Sequence, residues 1–173
     1  MSYQVTANRK PAIICFFILF CVGFALISAP VFGLKNYVGI VQFLGFFVVI
    51  LSLLLFNRYL LTNYLYEIES EPNALSALPK LNIYASRGHN FGHQFFCVPL
   101  EDCYGIEKWE SQKKPDFPCY NSCGSIKPKE RYLVSYDCED KKNGVLIECD
   151  AAFADEIKNM IDRYSKYRPE ESQ

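Results

Sequence analysis

Eight cysteines and two histidines are the residues of this 173-residue chain whose types could support metal or redox chemistry. Cys119 and Cys123 stand four positions apart in a proline-rich stretch, as in a zinc knuckle. His89, His93 and Cys97 repeat that spacing of four. Zinc takes thiolate and imidazole ligands, although its usual knuckle spacing is a repeated C-x2-C. The sequence therefore offers zinc six candidate ligands: Cys97, Cys103, Cys119, Cys123, His89 and His93.

Two other roles for the cysteines compete with metal binding. A β-hairpin that turns at Asn143-Gly144 would set Cys138 opposite Cys149, within reach of a disulfide bridge. Such bridges would require an oxidising compartment. Alternatively, the cysteines beyond residue 62 are small buried thiols of a reduced cytoplasmic domain, and the histidines are polar loop residues. In this interpretation Cys97 lies in a strand where any apolar side chain would serve.

Signals for catalysis are missing from the sequence. It contains no GxSxG, Walker A or HExxH motif. The acidic pair Glu101-Asp102 is adjacent in sequence, so in a strand its two carboxylates point to opposite faces and cannot serve one substrate together. We therefore expect no enzyme, no cofactor and no small-molecule substrate. The net charge of -1 also argues against a nucleic-acid partner, which would require a basic field.

The first part of the chain is apolar and free of acidic residues up to position 66. Two stretches, 11–34 and 36–57, contain no charged residue at all. Each is long enough to cross a membrane, which takes about 20 apolar residues in a helix. Only Lys35 separates them, so residues 1–61 are predicted to form a tail and a transmembrane hairpin of two antiparallel helices. A cleaved signal peptide is the weaker alternative, because a second apolar stretch follows at once.

Basic residues flank the two stretches unequally. Arg9 and Lys10 precede the first stretch and Arg58 follows the second, whereas Lys35 alone lies at the opposite end. Cytoplasmic flanks are usually the more basic ones. The sequence therefore predicts a multi-pass protein of the cell membrane, held by the lipid bilayer, with both termini in the cytoplasm.

The interior of the two stretches favours an anchor over a transporter. Neither stretch contains an ionisable acid, base or histidine that could relay protons or bind ions. Gln42 is expected to form a hydrogen bond between the helices. Four glycines would permit close contact of the helices: Gly23, Gly33, Gly39 and Gly45.

The second part of the chain is expected to form one small domain over residues 62–168, followed by a disordered tail at 169–173. Alternating apolar and polar residues predict strands at 62–70, 80–86, 93–100 and 104–111, and a hairpin at 130–149. Residues 112–129 are expected to form a loop with room for one short strand. With Asp150 as its N-cap, a C-terminal helix is indicated by an apolar stripe: Phe153, Ile157, Met160, Ile161 and Tyr164.

Several stretches of this domain resemble one known family. They are KLNIYASRG at 80–88, VPLEDCYGIE at 98–107, and RYLVSYDC and VLIEC on the two sides of the hairpin turn. The pattern is similar to the bacterial pleckstrin-homology-like domains. The resemblance implies an α+β domain, built as a small, seven-stranded, antiparallel and partly open β-barrel that the C-terminal amphipathic helix caps. It implies no phosphoinositide site, because residues 64–173 carry 14 basic and 19 acidic residues, a net charge of -5.

These observations predict a small integral membrane protein that presents a pleckstrin-homology-like interaction or scaffold domain at the cytoplasmic face. Its partner would be another protein or a second copy of the chain, because free strand edges accept further strands. One alternative is a cysteine-based membrane sensor that responds to metal or redox state. Another is a disulfide-stapled extracytoplasmic domain.

Overall fold

A computed structural model describes residues 1–33, 37–69, 78–87, 94–110 and 115–166. Eight strands and three α-helices lie in these ranges, in this order: β1 (Ser2–Gln4), α1 (Lys10–Ser28), α2 (Val38–Phe56), β2 (Thr62–Glu69), β3 (Lys80–Arg87), β4 (Gln94–Pro99), β5 (Cys103–Lys108), β6 (Cys119–Asn121), β7 (Tyr132–Cys138), β8 (Lys141–Ile147) and α3 (Ala151–Tyr164). The chain divides into two compact units. We call Asn8–Thr62 with Ser125–Lys127 the helical unit, and the other described residues the β unit.

The helical unit contains two helices that are long and apolar enough to cross a membrane. With the short helical turns that follow α1 and α2, they run over Lys10–Phe32 and Val38–Leu61. In the most apolar 18-residue segment of each helix, only 11% is buried. A core helix of a soluble protein would be mostly buried, so these helices expose apolar side chains that such a protein would hide. The closing turn around Lys35 lies outside the described residues.

Small residues hold α1 and α2 together. A Cβ atom on Gly45 would lie 2.9 Å from the Gly23 carbonyl oxygen and 2.8 Å from Ile27 Cγ1. The two backbones therefore touch at two of the four glycines that were expected to permit close contact, whereas no atom of the described residues lies within 4 Å of a Cβ atom on Gly33 or Gly39. Gln42 Nε2 donates a long hydrogen bond of 3.5 Å to the Ile27 carbonyl oxygen. The predicted hydrogen bond between the helices is thus confirmed.

The β unit contains two four-stranded sheets. The strand orders are β1-β2-β3-β4 and β5-β7-β8-β6. Most pairs are antiparallel, as predicted, but β6 runs parallel to β8. Over the residues that the structure describes, the two sheets do not join into a closed barrel, and they contain eight strands where the resemblance implies seven.

Strand β1 lies in the segment that was predicted to be a tail, and it was not predicted from the sequence. Tyr3 pairs with Tyr66 of β2. A strand that precedes the two long helices in the sequence therefore pairs with the strand that follows them. The Met1 ammonium donates to the Ile68 carbonyl oxygen at 2.8 Å, and Ile68 N–H donates to the Met1 carbonyl oxygen at 2.7 Å. Val5 continues the strand and is buried in the core. Residues 1–7 therefore belong to the β unit.

Helix α3 covers the core of the β unit with the predicted apolar stripe. Phe153, Ile157 and Ile161 are buried, whereas Tyr164 at the end of the stripe is exposed. The Asp150 carboxylate accepts the Phe153 N–H at 2.9 Å, which confirms the predicted N-cap. After the helix, the Ser165 hydroxyl donates to the Cys103 carbonyl oxygen at 2.6 Å, and Lys166 N–H donates to the Glu101 carbonyl oxygen at 3.0 Å. These bonds fix the end of α3 beside the start of β5.

The predicted hairpin exists, but its predicted turn is wrong. Strands β7 and β8 pair with Cys138 opposite Lys141, so the turn is Glu139-Asp140 instead of Asn143-Gly144. Both turn residues are left-handed, with φ of 55° and 58°, as a two-residue type I′ turn requires. Gly144 serves packing instead, because a Cβ atom there would meet Leu133 Cδ1 at 2.8 Å and Phe117 Cε2 at 2.9 Å.

Candidate functional site

The corrected register separates the two cysteines proposed for a disulfide. Cys138 lies beside the turn, whereas Cys149 follows Ile147, which pairs with Tyr132 at the open end of the hairpin. The six residue steps from Tyr132 to Cys138 span about 20 Å of strand. A disulfide needs Cα atoms within about 7 Å. The expected juxtaposition of Cys138 and Cys149 is therefore wrong, and both cysteines are free in the structure.

Burial divides the eight thiols into two groups. Cys103, Cys123 and Cys149 are buried, and Cys119 is partly buried. Cys97 and Cys138 are exposed in the β unit, and Cys15 and Cys21 are exposed on α1. Cys97, expected at an apolar strand position, lies in β4 but is exposed, whereas Cys149 is buried and lies beyond the end of β8.

Burial also makes three of these thiols poor nucleophiles. It raises the pKa of the Cys103 thiol to about 12. Burial, aided by the nearby Asp150 carboxylate, raises the pKa of the Cys149 thiol to about 12 as well. Desolvation raises the pKa of Cys119 in the same direction. Since the thiolate is the reactive and metal-binding form, these residues are suited to packing at neutral pH.

The candidate metal ligands are not gathered at one place by the described part of the chain. Within it, no group of three or more histidine, cysteine, aspartate or glutamate side chains is placed to hold a metal ion. Cys119 lies in β6 opposite Gly144, and the Asn121 side chain caps the N–H of the buried Cys123 at 2.9 Å. Because His89 and His93 lie outside the described residues, the zinc hypothesis stays a prediction for any site that uses them.

Two exposed thiols share a cavity that the sequence did not predict. Cys97 of β4 and Cys138 of β7 both line a cavity of about 350 Å³. Four carboxylates and one amine also line it, together with two ring side chains: Asp102, Asp137, Glu139, Asp140, Lys166, Pro99 and Tyr136. Lys166 Nζ forms an ion pair with Asp102 Oδ1 at 2.6 Å. The cavity is acidic, and its thiols come from two strands in different sheets, which no local spacing could indicate.

Strand β4 forms one edge of its sheet. In the described part of the chain it pairs only with β3. Phe96 points inward, with its ring 5.7 Å from Tyr120 and 5.5 Å from Tyr136, whereas Phe95 is 56% exposed. The free edge therefore presents backbone donors and acceptors beside an exposed aromatic ring and an exposed thiol, Cys97.

Trp109 lies at a second, more open cavity of about 490 Å³. Its lining mixes both signs of charge: Lys108, Glu110, Pro128, Lys129, Glu130 and Arg131. Lys108 and Glu130 form an ion pair at 2.9 Å on the surface. We assign this cavity no ligand.

The helical unit collects basic residues and contains no acidic one. The backbone N–H of Asn8 donates to Ser125 Oγ at 2.8 Å, which joins the segment Ser125–Lys127 to the start of α1. Lys10 and Lys127 are exposed, and Arg9 and Arg58 are partly exposed. A segment more than 100 positions away in the sequence thus adds a lysine to the basic end of the helix pair.

No protein family, curated protein or solved structure matches this chain. The pleckstrin-homology-like interpretation of the β unit therefore depends on the sequence pattern alone, and the function must be argued from the geometry.

Proposed function

We propose that this chain is an integral membrane protein whose two apolar helices anchor a pleckstrin-homology-like β unit at the cytoplasmic face of the cell membrane. The β unit acts there as an interaction or scaffold module. No described site favours catalysis. The proposal is supported by three features: the pairing of β1 with β2, the basic end of the helix pair, and the free edge of β4.

The pairing of β1 with β2 is the observation that carries the proposal. Strand β1 precedes α1, and β2 follows α2, yet Tyr3 and Tyr66 are neighbours in one sheet. Two strands can pair only if both lie on the same side of the membrane. An even number of crossings satisfies this condition, and two helices of sufficient length lie between the strands. The pairing thus supports a hairpin that crosses the membrane twice.

The distribution of charge favours the cytoplasmic side for the β unit. Arg9, Lys10 and Arg58 flank the open end of the hairpin in sequence, and Lys127 joins them through the bond between Asn8 and Ser125. The other end has Lys35 alone. The basic end of a transmembrane hairpin usually stays in the cytoplasm. The reduced state of the cytoplasm also fits a unit whose described cysteines are free.

The accessible thiols provide a direct test of this topology. In intact cells, a membrane-impermeant maleimide should label neither Cys97 nor Cys138, because the membrane shields them. After permeabilisation without denaturation, both should react, since both are exposed. The buried Cys103, Cys123 and Cys149 should react only after denaturation. Mass mapping of the labelled peptides distinguishes these thiols.

The double variant Cys97→Ser, Cys138→Ser is the matched control, and it should lose the label in permeabilised, native cells. Labelling of the parent protein in intact cells would place the β unit outside and overturn the topology. Labelling only after prior reduction would support the disulfide-stapled extracytoplasmic alternative instead. Extraction of the protein from membranes by alkaline carbonate would overturn the membrane anchor itself.

The interaction role can be tested at the free edge of β4. We expect a photo-crosslinking amino acid at Phe95 to form an adduct of one defined mass in cells, because the side chain is exposed beside unpaired backbone groups. The same substitution at the exposed Lys158 of α3 is the control. An adduct with twice the mass of the chain would identify self-association. Equal yields at both positions, or none at Phe95, would contradict strand addition at this edge.

One observation favours a second candidate function, a redox-responsive sensor. Cys97 and Cys138 are exposed and line the same cavity, unlike the predicted pair Cys119 and Cys123. Oxidised glutathione could convert the two thiols to a disulfide and leave as two molecules of reduced glutathione. Mass mapping should then find an intramolecular Cys97–Cys138 link. Only separate glutathione adducts at the two positions would eliminate this candidate.

A further inference from the structure

We propose that the basic end of the helical unit binds the phosphate of anionic phospholipid headgroups, and that Lys127 is one of the residues that contact this phosphate. This inference depends on the proposed function, since it needs the helix pair to be in a bilayer. It adds a lipid class and a residue that the transmembrane flanks alone do not suggest.

Lys127 lies in a segment that is bonded to the start of α1. Ser125 is buried and receives the Asn8 N–H at 2.8 Å, directly before the helix that begins at Lys10. Lys127 is two residues from Ser125, and Lys10 is two residues from Asn8. Two residues of chain span at most about 7 Å, so the Cα atoms of both lysines stay near that hydrogen bond.

The charged residues of the helical unit are all basic. Asn8–Thr62 and Ser125–Lys127 contain basic residues and no carboxylate. Lys10 and Lys127 are exposed. Clusters of four or more basic residues beside a transmembrane helix attract anionic lipids, and they do so mainly through charge. Arg9 and Arg58 bring this cluster to four members.

The β unit differs from the helical unit in the sign of its net charge. Without Lys127, residues 64–173 carry 13 basic and 19 acidic residues, a net charge of -6, so the domain as a whole repels an anionic membrane surface. The segment Ser125–Lys127 belongs to the helical unit although the residues around it belong to the β unit. Charge complementarity therefore places the headgroup at the base of the helix pair and not on the domain.

The test uses the full chain reconstituted in phosphatidylcholine vesicles that contain a trace of spin-labelled lipid. Paramagnetic resonance separates the motionally restricted lipid at the protein from the mobile bulk lipid. We expect spin-labelled phosphatidylglycerol to associate several-fold more strongly than spin-labelled phosphatidylcholine. Lys127→Gln should reduce this preference about two- to fivefold, whereas Lys127→Arg should keep it.

Lys141→Gln is the matched control, because Lys141 is an exposed lysine of the β unit and its replacement removes the same charge. It should leave the preference unchanged. Sodium chloride should weaken the preference, and sodium phosphate of equal ionic strength should weaken it no further. A larger effect of phosphate would identify a free anion as the ligand and overturn the lipid assignment.

Two failures remain distinguishable. If neither spin-labelled lipid shows a restricted component, the protein is not in the bilayer, and the proposed function fails. If both lipids are restricted equally, or if Lys127→Gln matches the parent protein, the helices are embedded but the headgroup site is refuted.

Discussion

The helices of the two units bury opposite kinds of residue. In α1 and α2 the buried residues are all small: Ala12, Gly23, Gly45 and Ser52. Their large side chains, such as Phe17 and Phe43, face outward. In α3 the arrangement is reversed, because Phe153 and Ile157 are buried and the opposite face is polar.

This reversal matches the packing expected in two different solvents. In water, burying large apolar side chains drives packing, so a helix needs one apolar face. In lipid that driving force is absent between helices, and close backbone contact through small residues takes its place. The composition of α1 and α2 fits the second case, and the pattern of α3 fits the first. The comparison predicts that different substitutions should damage each unit.

The largest effect is expected from Phe153→Ala. The Phe153 ring is 1% exposed and stacks on Tyr3 with the ring centroids 5.1 Å apart. Its loss should reduce the free energy of unfolding of the β unit by about 4 kcal/mol. In detergent micelles, Trp109 fluorescence should report earlier thermal unfolding of the β unit, while the helical circular dichroism of α1 and α2 persists. Lys158→Ala on the exposed side of α3 should change little. A joint loss of both signals would show that the units unfold as one.

A smaller effect, in the other unit, is expected from Gly45→Leu. The new side chain would overlap Ile27 and the Gly23 carbonyl group, which should cost about 3 kcal/mol of helix packing. Hydrogen–deuterium exchange should accelerate in α1 and α2 but not in the β unit. Gly39→Leu is the control, since no atom of the described residues lies within 4 Å of a Cβ atom there. Equal exchange in both variants would disprove the packing role of Gly45.

A buried hydrogen bond provides a third test, of about 2 kcal/mol. The Tyr66 hydroxyl donates to the Ser122 carbonyl oxygen at 2.9 Å and accepts the Glu148 N–H at 3.1 Å. Tyr66→Phe would leave both backbone groups without this partner, so denaturant unfolding of the β unit should shift to lower concentration. Tyr164→Phe, at an exposed ring, should have no measurable effect. A neutral Tyr66→Phe would mean that water replaces the hydroxyl group.

The smallest effect is expected at the N-cap of α3. Asp150→Ala removes the bond to the Phe153 N–H and should cost about 1 kcal/mol in the same denaturant assay. Asp162→Ala removes an equal charge from an exposed position within the helix and serves as the control. If both variants lose the same stability, the effect is one of net charge rather than capping.

Local patterns in the sequence were sufficient for the elements whose partners are near in the chain. The stripe and cap of α3 were predicted from spacing alone, and β2, β3, β4, β5 and β7 follow from alternation. The apolar stretches also predicted both long helices. Each of these signals repeats over several residues, so one unusual residue does not hide it.

The sequence failed where position depends on distant contacts. Asn143-Gly144 favours a type I′ turn, but packing of Leu133 and Phe117 against Gly144 outweighed that local preference. Strand β1 is only three residues long and depends on β2. A short strand within residues 112–129 was expected and β6 lies there, but its parallel pairing with β8 was not predicted. The meeting of Cys97 with Cys138 at one cavity is equally non-local. No spacing rule could have found these contacts.

The sheet that joins β1 to β2 also imposes an order in time. Strand β1 leaves the ribosome first, but its partner begins at Thr62. At about 5–20 residues per second, β1 waits roughly 3 to 12 s for β2 to be made. Both apolar helices are synthesised during that interval. Strand β1 can therefore pair with β2 only after both long helices have been synthesised, so synthesis of the helix pair precedes completion of the β unit.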